Sequence, residues 1–199
     1  MPRTADQHLQ ERILDAAHNL WRTRGEKGLT LRGVAQQAGT TTTTVYKKFR
    51  DREALCLAIA QRVEERLVKL VTSSESLEEF VRRYLHFAET HPQEYRLLYG
   101  AAWPEIFGKG RPRQIQSWAL NQFAHRFGGQ PQDYVQANFA LFLAAHGAAS
   151  LITAAPRNPA NITARDSCLA ICDVLLKNIR IFGPSAGLTE SKTGETDQS

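Results

Sequence analysis

The side chains best suited to chemistry in this 199-residue chain stand together in one short basic stretch, Thr40-Thr41-Thr42-Thr43-Thr44-Val45-Tyr46-Lys47-Lys48. Threonine hydroxyls bond base edges or phosphate oxygens, a threonine methyl packs on the thymine methyl, and lysine ammonium groups neutralise phosphate. That chemistry is recognition of double-stranded DNA, not bond cleavage. Elsewhere no catalytic set assembles. The six histidines are scattered without HExxH-type spacing. Cys168 and Cys172 lie on one helix face, but no second pair completes a zinc site. No glycine-rich phosphate loop occurs. The expectation is a protein that is not an enzyme, with no cofactor and no metal. Cys56, Cys168 and Cys172 then read as small core or interface residues, a redox role for the latter two being the alternative.

These side chains need a scaffold, and the flanking sequence describes one. Leu31, Val34, Ala35 and Ala38 recur at helical spacing. Thr30 stands ahead of them as a cap, and Gly39 follows, where a left-handed backbone ends the helix. A second helix starts near Thr41 or Thr42, with Val45 and Phe49 turned inward. Threonine is a mediocre helix former, and the run followed by Val45 and Tyr46 has a strand as its alternative reading. The glycine stop before it, and the lysines flanking inward positions, favour the helix. Two short helices joined at Gly39 form a helix-turn-helix, whose second helix lies in the major groove. Charge agrees: residues 1–52 hold ten Lys or Arg against five Asp or Glu, the rest holds fifteen of each, and the whole net charge of +5 sits on this segment. Arg3, Arg22, Arg24, Lys27, Arg32, Lys47, Lys48, Arg50 and Arg52 are the candidate phosphate partners.

A first helix is expected from about Ala5 to Arg24, burying Leu9, Ile13, Ala16, Ala17, Leu20 and Trp21, with Thr4 and Gln7 as a capping box and Gly25 and Gly28 as its end. Asp51 caps a fourth helix that carries Leu55, Ile59, Val63 and Leu67 to about Thr72 and forms a lever into the rest of the chain. Four segments in register, ILDAAHNLWRTRG, GLTLRGVAQQAG, TTTVYKKF and DREAL, make residues 9–60 resemble the DNA-binding domain of the TetR/AcrR family of transcriptional regulators. The resemblance covers about a quarter of the chain. The family often has a small or basic residue where Thr42 and Thr43 stand here, so no operator sequence carries over. It implies DNA contacts from Thr30, Arg32, Thr41, Thr42, Thr43, Thr44, Tyr46, Lys47, Lys48 and Arg52. Thr42, Thr43 and Lys47 would face base edges. Thr41, Thr44, Lys48 and Arg52 would face the backbone. Tyr46 would offer its hydroxyl to a phosphate, as its family counterpart commonly does; a core aromatic with its hydroxyl exposed is the alternative.

From residue 73 onward the pattern stays helical, giving an all-α chain: an N-terminal three-helix DNA-binding domain over residues 1–52, a larger helical domain over 53–183, and a disordered tail over 184–199. Helices are expected from Leu77 to Ala88, beyond the His91-Pro92 break, around Trp118 up to Gly128-Gly129, from Pro131 to about Ala154, and from Ala160 to Phe182, with a loop from Gly108 to Pro112. Aromatics concentrate between Phe80 and Phe142. Tyr84, Tyr95, Tyr99, Trp103, Phe107, Trp118, Phe139, Phe142 and His146 are the candidate lining of a ligand pocket, plain core packing being the alternative for each. Ala144, Ala145, Gly147, Ala148, Ala149 and Ser150, with Leu169, Cys172, Leu175, Leu176, Ile179 and Phe182, suit an isologous helical interface. HPQEYRLLYG and LFLAAHGAASLIT resemble a subgroup of the family with a Trp-His-Gly signature, Phe142 standing at the tryptophan position; this implies effector binding and dimerisation. No run of 18 apolar residues occurs, so no membrane helix is expected, and the polar N-terminus points to the cytoplasm. The expected function is a ligand-responsive homodimeric regulator on a pseudo-palindromic operator, a repressor released by a small apolar or aromatic effector. The alternatives are a DNA-binding regulator with no small-molecule effector, controlled by a protein partner or by abundance, and a helical ligand-binding protein or enzyme with a vestigial DNA domain.

Overall fold

The computed structural model describes residues 3–100 and 114–182, with side chains from Gln7 onward in the first segment. Trp103, Phe107, the Gly108–Pro112 loop, the tail beyond residue 183, and the side chains of Arg3 and Thr4 lie outside the described residues. Every regular element among the described residues is helical, so the all-α expectation holds. The order is α1 Arg3–Gly28, α2 Leu31–Gln37, α3 Thr42–Lys48, α4 Arg52–Thr72, α5 Leu77–Thr90, α6 Pro92–Tyr99, α7 Gln114–Phe127, α8 Val135–Ala154 and α9 Ala160–Lys177. Short 3-10 turns, Pro131–Tyr134 and Ile179–Phe182, precede α8 and follow α9.

Local chemistry starts these helices where the residue types dictate. The Thr30 hydroxyl accepts from the Gly33 N–H at 3.1 Å, Thr41 from Thr44 at 3.2 Å, the Asp51 carboxylate from Ala54 at 2.7 Å, and Ser76 from Glu79 at 3.1 Å. Each supplies a partner for a helix N–H that has none within its own helix. Asp51 is held below the ordinary carboxylate pKa by the Ala54 N–H and by Arg50. Helix α1 outruns its expected end at Arg24, because the chain passes through Gly25 at φ 66° and resumes its turn to Gly28.

Helices α1–α3 close around Ile13, Leu20, Val34 and Val45, all buried. Helix α4 carries Leu55, Ile59, Val63, Leu67 and Val71 inward along one stripe and links this unit to the remainder. In the C-terminal part α5 is central, buried through Phe80, Val81, Tyr84, Leu85, Phe87 and Ala88 and packed against α4, α8 and α9. Burying each large apolar side chain here contributes about 1.5–3 kcal/mol.

Two sequence expectations need correction. Ala145, Ala148 and Ala149 of α8, and Cys172, Leu175 and Leu176 of α9, are buried within the chain and not presented to a second copy. Their small size lets α8 pack closely on its own neighbours, α5 and α9. The outward apolar face consists instead of Val135, Phe139, Leu143 and Leu151 on α8 and Ile162, Ile171 and Val174 on α9, continued by Ile181. In addition, Pro131–Ala154 is long and apolar enough to cross a membrane by length and composition. An average over the helix tolerates the few polar residues that interrupt an unbroken apolar run. Here Leu141, Ala145, Ala149 and Ile152 from this stretch sit in the chain's own core.

One polar group is fully buried where α1, α4 and α6 meet. Glu94, in the first turn of α6, is 0% exposed. Its Oε1 lies 2.5 Å from His18 Nε2 of α1, and its Oε2 accepts from Arg66 of α4. Burial pushes the Glu94 carboxyl pKa up, but the His18 hydrogen bond and the Arg66 charge outweigh it and hold the group below its ordinary value. Beside it, the Trp21 indole N–H donates to the Gln93 carbonyl at 2.8 Å.

The α2–α3 turn offers a test of the fold's local logic. Gly39 has φ 63°, and a Cβ built there meets nothing within 4 Å. Gly39→Ala therefore carries backbone strain alone, about 1 kcal/mol, and should lower Tm by roughly 2–4 °C. Gly39→Asn, which tolerates the left-handed region, should lose less. Equal stability of Gly39→Ala and the wild type in thermal unfolding would show the turn is not held left-handed.

Candidate nucleic-acid interface

Helix α3 is presented by the turn before it and the apolar anchors behind it. The Thr40 N–H donates to Ala35 O at 2.9 Å and closes the end of α2, while Val45 and Phe49 fasten α3 to the three-helix core. With those two turned inward, Thr42 and Tyr46, and likewise Thr43 and Lys47, form neighbouring i, i+4 pairs on the exposed side of α3. Tyr46 is 56% exposed although aromatic, so core packing does not account for its orientation. These four side chains present hydroxyls, methyls, a phenol and an ammonium together, a set able to reach base edges and phosphates.

The remaining nominated residues are placed differently. Thr41 and Thr44 bond each other, hydroxyl to hydroxyl, at 2.9 Å, and Thr41 also caps α3. Thr30 caps α2, and adding a Cβ at Gly33 would bring it to 2.9 Å from the cap oxygen. Lys48 is half-buried, while Arg32 is exposed on α2. Arg52 turns back into the protein: its Nε donates to Leu29 O at 3.1 Å and its Nη2 to Glu26 O at 2.9 Å. That fork ties the end of α1 to the start of α4, while the Arg52 side chain stays 44% exposed. Arg50 pairs with Asp51 at 2.8 Å.

In the C-terminal part, Tyr84, Tyr95, Tyr99, Trp118, Phe142 and His146 join one continuous aromatic cluster. Tyr95 and Tyr99 ring centroids lie 4.6 Å apart, Tyr99 and His146 4.6 Å, and Phe142 and His146 5.3 Å. The Tyr95 hydroxyl shares a 2.7 Å hydrogen bond with His146 Nδ1 and lies 3.3 Å from the Tyr84 hydroxyl. Trp118 is reached through Phe80, stacked on it at 5.3 Å. Phe139 stands apart, 56% exposed on the outer face of α8, and among the described residues it meets the cluster through Phe142 at 6.5 Å. Burial raises the Tyr84 and Tyr99 phenol pKa values, raises Tyr95 to about 12, and lowers His146. At neutral pH all four side chains are therefore uncharged. Two surface clefts, of 560 and 390 Å³, lie elsewhere, around Glu89, Arg157 and Arg165 and around Ser76, Gln122 and Arg126, and no cluster residue lines either.

The residues that sequence reasoning missed are His18, Arg66 and Glu94. Positions 18, 66 and 94 belong to three helices, and no spacing rule connects them. The one available signal was a glutamate next to Tyr95 in a largely apolar segment.

Comparison with known proteins shows what this architecture is similar to. Residues 13–59 match the family described as bacterial regulatory proteins, tetR family. The HTH-type transcriptional regulator AlkX of Mycobacterium tuberculosis is 34% identical over 107 residues, 49% of this chain and 51% of that protein. An HTH-type transcriptional regulator in the dhlA 5′ region of Xanthobacter autotrophicus is 45% identical over 56 residues, 28% of each chain. The chain thus spans about half the length of the first relative and less of the second. Among solved structures, SCO7222, a TetR from Streptomyces coelicolor, aligns with a TM-score of 0.62 and 21% identity over 87% of this chain and 98% of its own. A TetR-like transcriptional regulator from Rhodococcus sp. RHA1 aligns at 0.59 and 19% identity over 85% and 96%. The multidrug binding protein EbrR, complexed with imidazole, aligns at 0.59 and 18% identity over 86% and 93%. At these identities the structural likeness speaks for the fold, while the helix-turn-helix match speaks for descent. The exposed α3 face thus lies on an N-terminal segment, residues 13–59, that matches the family described as bacterial regulatory proteins, tetR family, and the C-terminal helices resemble those of solved TetR-type regulators in fold.

Proposed function

We propose that the protein is a homodimeric transcriptional regulator that binds a pseudo-palindromic DNA operator through α3 and is released by a small uncharged effector, so that it acts as a repressor. The observation that carries the reading is the exposed group Thr42, Thr43, Tyr46 and Lys47 on α3, in a segment that holds the chain's entire net positive charge. Sequence is read by Thr42, Thr43 and Lys47; Tyr46, Lys48 and Arg32 contact the backbone. The dimer forms across the outward face of α8 and α9, where large apolar side chains are otherwise left in water. The aromatic cluster, neutral and able to hydrogen-bond through Tyr95 and His146, suits an apolar or aromatic ligand. EbrR, a fold relative named for multidrug binding, supports a ligand role for the C-terminal domain. Release requires the effector to bind a conformer in which the recognition helices no longer match successive grooves better than it binds the DNA-competent one.

A second reading, a regulator without a small-molecule effector, draws on one observation: the Tyr84–Tyr95–His146 hydrogen bonds leave the cluster internally satisfied. A panel of uncharged aromatic compounds separates the two. Compounds that both raise Tm and release operator support the effector reading, and no response across the panel supports the second.

Selection of bound sites from random duplex DNA tests the DNA-binding claim. A recovered pseudo-palindrome is expected, and binding that shows no enriched sequence and vanishes as salt rises overturns it. On the recovered site, Lys47→Ala should cost roughly 1–3 kcal/mol and relax base preference at one position, whereas Lys48→Ala should weaken all sequences alike and reduce the salt slope by about 1. Identical losses on specific and random DNA in both variants would contradict these assignments.

Leu143→Glu, 55% exposed on α8, should leave the helical content unchanged and shift the protein from dimer to monomer in sedimentation. An unchanged sedimentation coefficient would move the interface elsewhere.

A further inference from the structure

Among the described residues, the N-terminal unit is attached to the C-terminal helices in two main ways. One is covalent, through the continuous helix α4. The other is the contact of α1 with the first turn of α6, where His18 meets Glu94, the Trp21 indole donates to Gln93 O, and Gly25 leaves room for the Gln93 side chain. A Cβ at Gly25 would stand 3.0 Å from Gln93 Oε1. Attachment by one helix alone would leave the N-terminal unit free to twist and bend about that helix. The second attachment removes this freedom, and it does so through a carboxylate with no solvent exposure.

Glu94 is also joined to the first attachment. Its second oxygen accepts from Arg66 on α4, whose guanidinium lies 5.4 Å over the Phe87 ring of α5. One turn earlier on α4, Arg62 pairs with Glu11 and Asp15 of α1. Sliding of α1 against α6 would take His18 from Glu94 and leave one carboxylate oxygen buried without its partner, a cost the arrangement resists. The residue after Glu94 is Tyr95, which leads directly into the aromatic cluster.

We propose that the His18–Glu94–Arg66 joint sets the angle at which the DNA-binding domain is held, and that Glu94 is thereby a positioning residue for the half-site spacing the protein accepts. The inference rests on the dimeric, operator-binding reading above. Two recognition helices read half-sites about one helical turn apart, and adding or removing one base pair both displaces and rotates one half-site relative to the other. A domain held at a fixed angle rejects such sites. A domain hinged on α4 alone follows them.

The test uses the full-length protein and the operator recovered by selection, together with versions carrying one base pair more or fewer between half-sites. Glu94→Gln keeps the shape of the side chain and removes its charge. His18→Gln, at a half-buried position, leaves the Glu94–Arg66 pair intact and serves where Glu94→Gln does not fold. The expected result is that discrimination between correct and altered spacing falls by roughly fivefold or more, with base preference inside each half-site unchanged. A purely structural role lowers affinity for every spacing by the same factor. That outcome, or an unaltered spacing profile, overturns the inference and leaves the regulator reading standing. A wild-type protein that itself shows no spacing preference overturns both.

Discussion

A carboxylate removed from water must keep charged or hydrogen-bonding partners, and at Glu94 the partners come from two other helices. His18 of α1 and Arg66 of α4 both reach it, and together they outweigh the burial that would otherwise favour the protonated acid. Much of the architecture around it is arranged to keep this arrangement closed. Pro92 starts α6 so that Glu94 falls in its first turn, where an acidic side chain also suits the helix dipole. The Trp21 indole bonds the neighbouring carbonyl, and the left-handed Gly25 lets the chain turn past Gln93.

The DNA-facing unit shows how a poor helix-forming sequence is made helical. Five successive threonines have little intrinsic preference for a helix. Thr41 offsets part of that by capping α3, and its hydroxyl shares a hydrogen bond with that of Thr44. Val45 and Phe49 supply the burial that fixes the helix against α1 and α2. The outward side is then left to Thr42, Thr43, Tyr46 and Lys47, which carry no structural duty comparable to that of their neighbours. The separation of labour follows from helical geometry, since positions four apart share a face.

Helix α8 has apolar side chains on opposite sides. Inward, small residues allow close packing on α5 and α9; outward, Val135, Phe139, Leu143 and Leu151 remain exposed. A helix apolar all round is a buried helix once its partners are counted, and here one side has a partner within the chain. The proposed dimer covers the other. The aromatic cluster beneath it joins α5, α6, α7 and α8 through ring contacts and the Tyr95–His146 bond, so movement in the cluster and movement of Glu94 share the short rigid helix α6.

The all-α class, the helix-turn-helix, its caps at Thr30 and Thr41, the Asp51 start of α4 and the inward roles of Val45 and Phe49 were legible in the residues themselves. Each is a local rule, in which a cap, a glycine or an i, i+4 apolar pair acts within one or two turns. What was not legible depended on which of several faces met which neighbour. Arg52 reads as a phosphate contact by position; its bonds to the Glu26 and Leu29 carbonyls, which tie α1 to α4, have no signature in the sequence. Leu175 and Leu176 read as an interface and are core, because periodicity marks an apolar face without naming what covers it. Phe139 reads as cluster and is surface for the same reason. The Glu94 joint needed three helices brought together in space. Local sequence determined where helices begin, end and turn apolar, because those effects act over a few residues; only tertiary packing decided which side chains meet, because contacts between positions 18, 66 and 94 have no signature along the chain.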